Sequence, residues 1–248
     1  LRQHGYVTMV LSTHGSLLLE HQMVLHAVSN NVDAIILFPL QDDRESVSYL
    51  EHLSTPLLLM DRGVDGISCD QVMIDDCAVG KLAAASLLSR CAPPYMYIAG
   101  PEYNRSEHAR RSGFLDTLRA AGVLEHQVRI LPHEKMTDAI DHGTVLDLLT
   151  PVTCSGIFCF NDDFAYQVFY ALAMHGYRVP GDVSVIGVDH VRQHFRYLPP
   201  LSSIGQVQEN NMADCAVQLL LGRLQNPDSQ ISVKVLPVAL FDENATST

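Results

Sequence analysis

Basic residues are scarce in this chain. Lysine and arginine number 16 against 28 aspartates and glutamates, for a net charge of −12. Gripping a polyanion needs clustered cations that neutralise phosphates, so these 248 residues suit neither nucleic acid nor an anionic membrane surface. No apolar run approaches the roughly 20 residues of a spanning helix. The opening LRQHGYVTMV lacks the charged start, apolar middle and small-residue cleavage site of a secretion signal. Cysteines at 69, 77, 91, 154, 159 and 215 form no CxxC pair. Scattered in this way they read as buried thiols in a reducing compartment, here the cytoplasm, with one or two disulfides or a reactive thiol as the alternative. There is no GxGxxG, no GxxxxGK[ST] and no GxSxG. The motifs that would announce a cofactor loop, a phosphate cradle or a nucleophile elbow are therefore missing, and neither an enzyme nor a cofactor is expected.

What the chain does have is alternation. Apolar strand-like runs at 6–12, 33–39, 55–61, 94–100, 156–160, 183–189 and 233–241 are separated by segments with helical spacing at 15–29, 41–53, 76–90, 106–122, 137–150, 163–176 and 206–225. Weaker extended stretches lie at 67–75 and 127–131. The run DAIILFP is apolar throughout, the mark of a sheet covered on both faces. Gly122 and Gly176 close helices, and Pro237 suggests an edge in the last strand. Repeated βα units with such strands predict an α/β fold of parallel sheets. About ten strands are too many for one open sheet of this length, so two doubly wound lobes are expected. In the helix at 15–29, Leu17, Leu18 and Val24 suit a core or an interface equally.

The strands end in polar groups. Asp61 and Arg62, Asn161 and Asp162, and Asp189 and His190 each follow an apolar run, and Arg110 and Arg111 lie in the helix after PYMYIAG. Any one such Asp or Asn is as good a helix cap as a ligand contact. Taken together they favour the ligand reading, because open α/β sheets bind at the carboxyl ends of their strands. Asp and Asn pair with vicinal hydroxyls and Arg bridges two oxygens, an inventory suited to a polyhydroxylated or heterocyclic small molecule. His190 and His194 stand four apart beside Asp189, but in a loop-like segment near Pro199 and Pro200, so no metal site is expected there.

With these pieces in hand, the chain resembles the effector-binding region of the LacI/GalR family of bacterial transcription regulators. The resemblance rests on GIFCFNDDFAYQVFYALAMHGYRVPGDVSVIGVD (156–189), LPPLSSIGQ (198–206), RRSGFLDTLRAAGV (110–123), TPLLLMDR (55–62) and DAIILFP (33–39). It implies two doubly wound parallel-sheet lobes joined by three crossovers, as in periplasmic binding proteins. One lobe would comprise residues 1–73 and 205–227, the other 74–204 and 228–248. It implies effector contacts at Arg110, Asn161, Asp189 and Asp61, with Asp162 capping or supporting the helix. It further implies a small-molecule effector, most often a sugar, a homodimer, and operator DNA gripped by an upstream helix-turn-helix headpiece.

Several family features have no counterpart here. Neither headpiece nor hinge helix is present, the first strand of the N-lobe is missing, and the end reads FDENATST. LRQHG reads as the last turn of a helix, so upstream sequence is expected. The aromatic that often stacks on the effector has no match in HEKMTD (133–138). The rival reading is a periplasmic sugar-binding protein of the same fold, which would tolerate few free cysteines.

Overall fold

The computed structural model describes residues 1–41, 45–139, 141–195, 197–207 and 211–242. In chain order its elements are α1 (Leu17–Ser29), β1 (Ile35–Leu37), β2 (Leu57–Asp61), β3 (Asp70–Ile74), α2 (Asp76–Arg90), β4 (Tyr95–Ile98), α3 (Arg105–Ala120), β5 (Val128–Leu131), α4 (His133–Thr137) and α5 (His142–Leu149). They continue with β6 (Gly156–Cys159), α6 (Asp162–Met174), β7 (Ser184–Val188), β8 (Ser202–Gln206), α7 (Met212–Gln225), β9 (Val233–Leu236) and β10 (Val238–Phe241). The chain folds into two compact units, Leu1–Ile74 with Gln208–Leu236, and Asp75–Val207 with Pro237–Thr248.

The first unit is a parallel sheet in the order β1-β2-β3-β9. β1, β2 and β9 lie in apolar runs expected from the sequence and β3 in the weaker extended stretch at 67–75, and Leu58, Leu59 and Val72 have no exposed surface. Ser16 caps α1 by accepting from the Leu19 amide at 3.3 Å. On this helix Val24 is buried in the core, whereas Leu17 and Leu18 are exposed. Glu20 is fully buried, and its carboxylate accepts from the Leu40 amide at 2.8 Å and the Tyr49 hydroxyl at 3.1 Å. Asp70 and Arg223 form a buried two-bonded pair, Nε to Oδ2 and Nη2 to Oδ1, each 3.0 Å. Arg223 also donates to the Pro227 and Ser229 carbonyls, and Asp70 accepts from the Ser232 amide. One ion pair thus fastens the end of α7 and the turn before β9 to the start of β3.

The second unit holds six strands in the order β10-β8-β7-β6-β4-β5, all parallel except β10 against β8. α2 and α3 cross closely because both carry glycine at the contact. A Cβ on Gly80 would lie 2.0 Å from the Arg110 carbonyl oxygen, and one on Gly113 would lie 2.3 Å from that of Cys77. Tyr97, Phe114 and Phe158 pack against one another beneath them, with ring centroids 5.1–5.7 Å apart.

Five expectations need correction. The run at 6–12 forms no strand: Val7, Met9 and Val10 are exposed, and Tyr6–Leu11 line an open apolar cavity of about 450 Å³ together with Ile35, Leu37 and Leu224. A strand needs a ladder partner, however apolar its sequence. The expected strand at 233–241 is two, because Pro237 has no N–H to continue a ladder. β9 pairs with β3 and β10 with β8, so 228–236 belongs with the first unit rather than the second. β8, in a stretch read only as a motif, is a full strand between β7 and β10. Among its described residues, the segment expected as a helix at 41–53 holds only a short 3-10 turn, Ser48–His52. Residues 42–44 of it, 208–210 of the expected helix at 206–225, 140 of that at 137–150, and 243–248 of the terminal stretch lie outside the described residues.

Candidate functional site

In the second unit β4 leads to β5 on one side and the chain then returns to place β6 on the other. The strand order therefore reverses between β4 and β6, and a ligand crevice forms at such a reversal, beyond the carboxyl ends of the strands. Arg110 comes from the helix after β4, Asn161 from just beyond β6, and Asp189 from the end of β7, the next strand along.

Arg110 is buried, at 5% exposure. Its Nε donates to Asp76 Oδ1 and its Nη1 to the Phe160 carbonyl, both at 2.7 Å. The guanidinium also lies over the Phe160 ring, 4.7 Å from its centroid. Gly100 admits that ring, since a Cβ there would fall 2.4 Å from Phe160. Arg110 is thus bound to the residue immediately before Asn161. Asn161 is half-buried and caps α6, its Oδ1 accepting from the Phe164 amide at 3.0 Å. Its amide nitrogen has no protein partner among the described residues.

Of the two roles expected for Asp162, capping or supporting the helix, the cap belongs to Asn161. Asp162 instead sits inside the first turn of α6 and is 1% exposed. It accepts from Ser203 Oγ at 2.7 Å and from the Val191 amide at 2.9 Å. Burial lifts its carboxyl to about 6, and those two hydrogen bonds oppose the rise. Asp189 is exposed and adopts φ +102°, with His190 following at φ +49°. Non-glycine residues at positive φ are uncommon and carry strain, and such strain concentrates at functional sites.

Asp61 closes β2 in the first unit, half-buried, with φ +72°. Nearby, Arg62 donates through Nη1 to the Pro39 and Leu40 carbonyls at 3.2 Å. The fold thus brings Arg110, Asn161 and Asp189 to adjoining strand ends of one sheet, while Asp61 belongs to the other unit.

Two acids, Glu107 and the half-buried Asp76, went unnoticed in the sequence. Glu107 is fully buried and accepts from the Tyr97 hydroxyl at 2.5 Å, the Gly100 amide at 2.6 Å and Arg111 Nε at 2.8 Å. It fixes the turn between β4 and α3. Asp76 orients Arg110. Neither bears a local signature, since an acid in a first helical turn is ordinary. All six cysteines are free thiols, and burial raises the pKa of Cys69, Cys154 and Cys159. No described helix is long and apolar enough to cross a membrane.

Comparison with known proteins agrees with the fold and the resemblance. The profile of the periplasmic binding protein-like domain matches residues 78–242. The HTH-type transcriptional repressor PurR of Glaesserella parasuis is 27% identical over 215 residues, 86% of this chain and 62% of that protein. The ribose operon repressor of Haemophilus influenzae is 26% identical over 253 residues, 99% of this chain and 74% of that protein. The chain therefore spans less than two thirds of the first relative's length. Among solved structures, a LacI family transcriptional regulator from Enterococcus faecium with bound ribose superposes with TM-score 0.79 at 23% identity, covering 98% of this chain and 88% of that one. A periplasmic binding protein/LacI transcriptional regulator from Alkaliphilus metalliredigens with D-xylulofuranose gives TM-score 0.80 at 22% identity, covering 100% and 90%. With its doubly wound parallel sheets, its polar strand ends and a profile match across most of its length, the chain belongs to the periplasmic binding protein-like domain family, in company with LacI-type transcriptional repressors.

Proposed function

We propose that this chain is the effector-binding and dimerisation region of a cytoplasmic, non-enzymatic transcription regulator that acts as a repressor. Its effector is a small polyhydroxylated molecule, a sugar first of all. Its proposed contacts are Arg110, Asn161, Asp189 and Asp61. The supporting observation is the placement of a guanidinium, an amide and a carboxylate at the carboxyl ends of adjoining parallel strands, beside the reversal of strand order. Asp189 accepts hydrogen bonds from paired hydroxyls, Asn161 donates through its amide nitrogen, and Arg110 supplies charge-assisted donors. Ribose operon repression in one relative, and ribose, D-xylulofuranose and cellobiose bound in structural neighbours, point to the same ligand class. The free thiols and the repressor relatives favour a regulator over a periplasmic sugar carrier.

An effector whose contacts differ between two conformations shifts their populations. In a homodimer that shift changes the spacing of two headpieces, and half-site recognition depends on spacing. A thermal-shift screen against pentoses, hexoses, sugar phosphates, nucleosides and purines tests the reading. A ligand at about a hundred times its Kd should raise Tm by about 5 °C. Selective stabilisation by one sugar supports it. A flat response across the panel overturns the sugar reading.

A further inference from the structure

We propose that Asp162 is a positioning residue, whose buried carboxylate holds the two left-handed residues that follow β7 and so presents Asp189 to the ligand. This rests on the reading of Asp189 as a ligand contact. The geometry is specific. After Val188 the chain turns through Asp189 and His190, both at positive φ. The turn is pinned at three successive amides. The Asp189 amide donates to the Ile204 carbonyl at 2.8 Å, the His190 amide to Ser203 Oγ at 2.9 Å, and the Val191 amide to Asp162 Oδ2 at 2.9 Å. Ser203 Oγ–H in turn donates to Asp162 Oδ1 at 2.7 Å, so the carboxylate anchors two of the three pins.

Two glycines exist to admit this arrangement. A Cβ on Gly187 would lie 2.1 Å from Asp162 Oδ1, and one on Gly205 would lie 2.7 Å from His190 Cβ. From the other side the His190 ring stacks on Phe241, 3.9 Å between centroids and 8° from parallel. A buried carboxylate that burial disfavours is poor design for stability alone. Here it joins the first turn of α6, which carries Asn161, to the loop that carries Asp189 and to β8. One group thereby fixes two proposed ligand contacts relative to each other. The neutral amide of Asn is isosteric. Its oxygen can accept from Val191 and its nitrogen donate to Ser203 Oγ, whereas Ala leaves both donors unmet.

The test is amide hydrogen exchange of the full chain for wild type, Asp162→Ala, Asp162→Asn and Ser203→Ala, with calorimetric titration of D-ribose as the probe. Asp162→Ala should speed exchange at residues 189–192 by about tenfold, while the rest of β6 and β7 stays within about twofold. Its ribose affinity should fall by about tenfold or more. Asp162→Asn should return both to within about threefold of wild type. If Asp162→Ala does not fold, Ser203→Ala, which removes the acceptor of the His190 amide, should loosen the same segment. Unchanged exchange at 189–192, an increase spread evenly over the unit, or local loosening with unaltered ribose affinity would each overturn the proposal. If wild type binds no ribose, the sugar reading loses its support, and the locality of the exchange still decides whether Asp162 holds the loop.

Discussion

Arg110 Nε donates to Asp76 Oδ1 at 2.7 Å, across a helix contact that has no side chain between its two backbones. Asp76 opens α2 and Arg110 lies in the middle of α3. Gly80 and Gly113 let the helices approach until each meets the other's carbonyl. That approach brings Asp76 to Arg110, and the guanidinium then reaches the Phe160 carbonyl beside Asn161. A backbone contact therefore decides where a proposed ligand residue points.

Arg110→Ala should weaken effector binding, but it is no clean probe of binding. The pair is largely buried, with side chains 6% and 13% exposed. Removing one partner strands the other, so Arg110→Ala should cost about 3 kcal/mol in urea unfolding. Asp76→Asn keeps an acceptor for Nε and should cost about 1 kcal/mol. Equal losses for the two would mean that the charge contributes more than the hydrogen bond.

Gly80→Ala should be among the more damaging single-methyl changes in the chain. Its Cβ would meet the Arg110 oxygen at 2.0 Å and the Phe114 nitrogen at 2.6 Å, both backbone atoms that cannot swing aside. We expect a loss of about 3 kcal/mol, an overpacking cost. Gly113→Ala, facing the Cys77 carbonyl, should behave alike, and the double variant should lose less than the sum because the two share one contact. Thermal melts of the three variants measure this.

In the first unit the Arg223–Asp70 fork is a second test of buried charge. Arg223→Lys retains the charge and loses the planar pair of donors, along with the bonds to the Pro227 and Ser229 carbonyls. It should destabilise by about 2 kcal/mol and Arg223→Ala by about 4 kcal/mol. If Lys were as stable as Arg by chemical denaturation, the fork would be ornamental to stability.

Asp162 makes a signed prediction about pH. Burial raises its carboxyl from 3.8 to about 6, so the native state holds this proton more tightly than the unfolded chain. Its contribution therefore opposes folding. The penalty grows as pH rises through about 4 to about 6, is constant above, and vanishes below about 4. Asp162→Asn removes the titration. Its stability relative to wild type should rise by about 3 kcal/mol between pH 4 and pH 7.5, read from urea unfolding at each pH. Cys159 and Tyr166, which feel the Asp162 charge, are raised and do not titrate in this window, Tyr166 lying at about 12. His190, pulled down by burial, is common to both proteins. A flat difference would show that Asp162 is not buried in solution as it is here.

The candidate site was legible in part. Asn161 and Asp189 announce themselves as polar residues ending apolar runs, and the run itself says which end of a strand they occupy. Arg110 lies mid-helix, where an arginine is ordinary, and the family resemblance supplied it. Nothing local marked Glu107 or Asp162 as buried. The Tyr97 partner of Glu107 and the Ser203 partner of Asp162 lie 10 and 41 residues away.

By itself the sequence determined what depends on near neighbours. Apolar runs, helical spacing and glycine stops set most helices and strands, and their alternation set parallel sheets, because side-chain period and backbone sterics are local. The tertiary structure alone decided what depends on distant partners. The strand-like run at 6–12 has no ladder and stays open, while the modest SSIGQ segment becomes a strand because β7 and β10 flank it. Residues 233–241 divide at Pro237 between two sheets. Asp70 is a buried ion rather than a surface acid because Arg223, 153 residues on, reaches it. Ladder bonds and desolvated charges are settled by partners that only the fold brings near, and no window along the chain contains both halves of the pair.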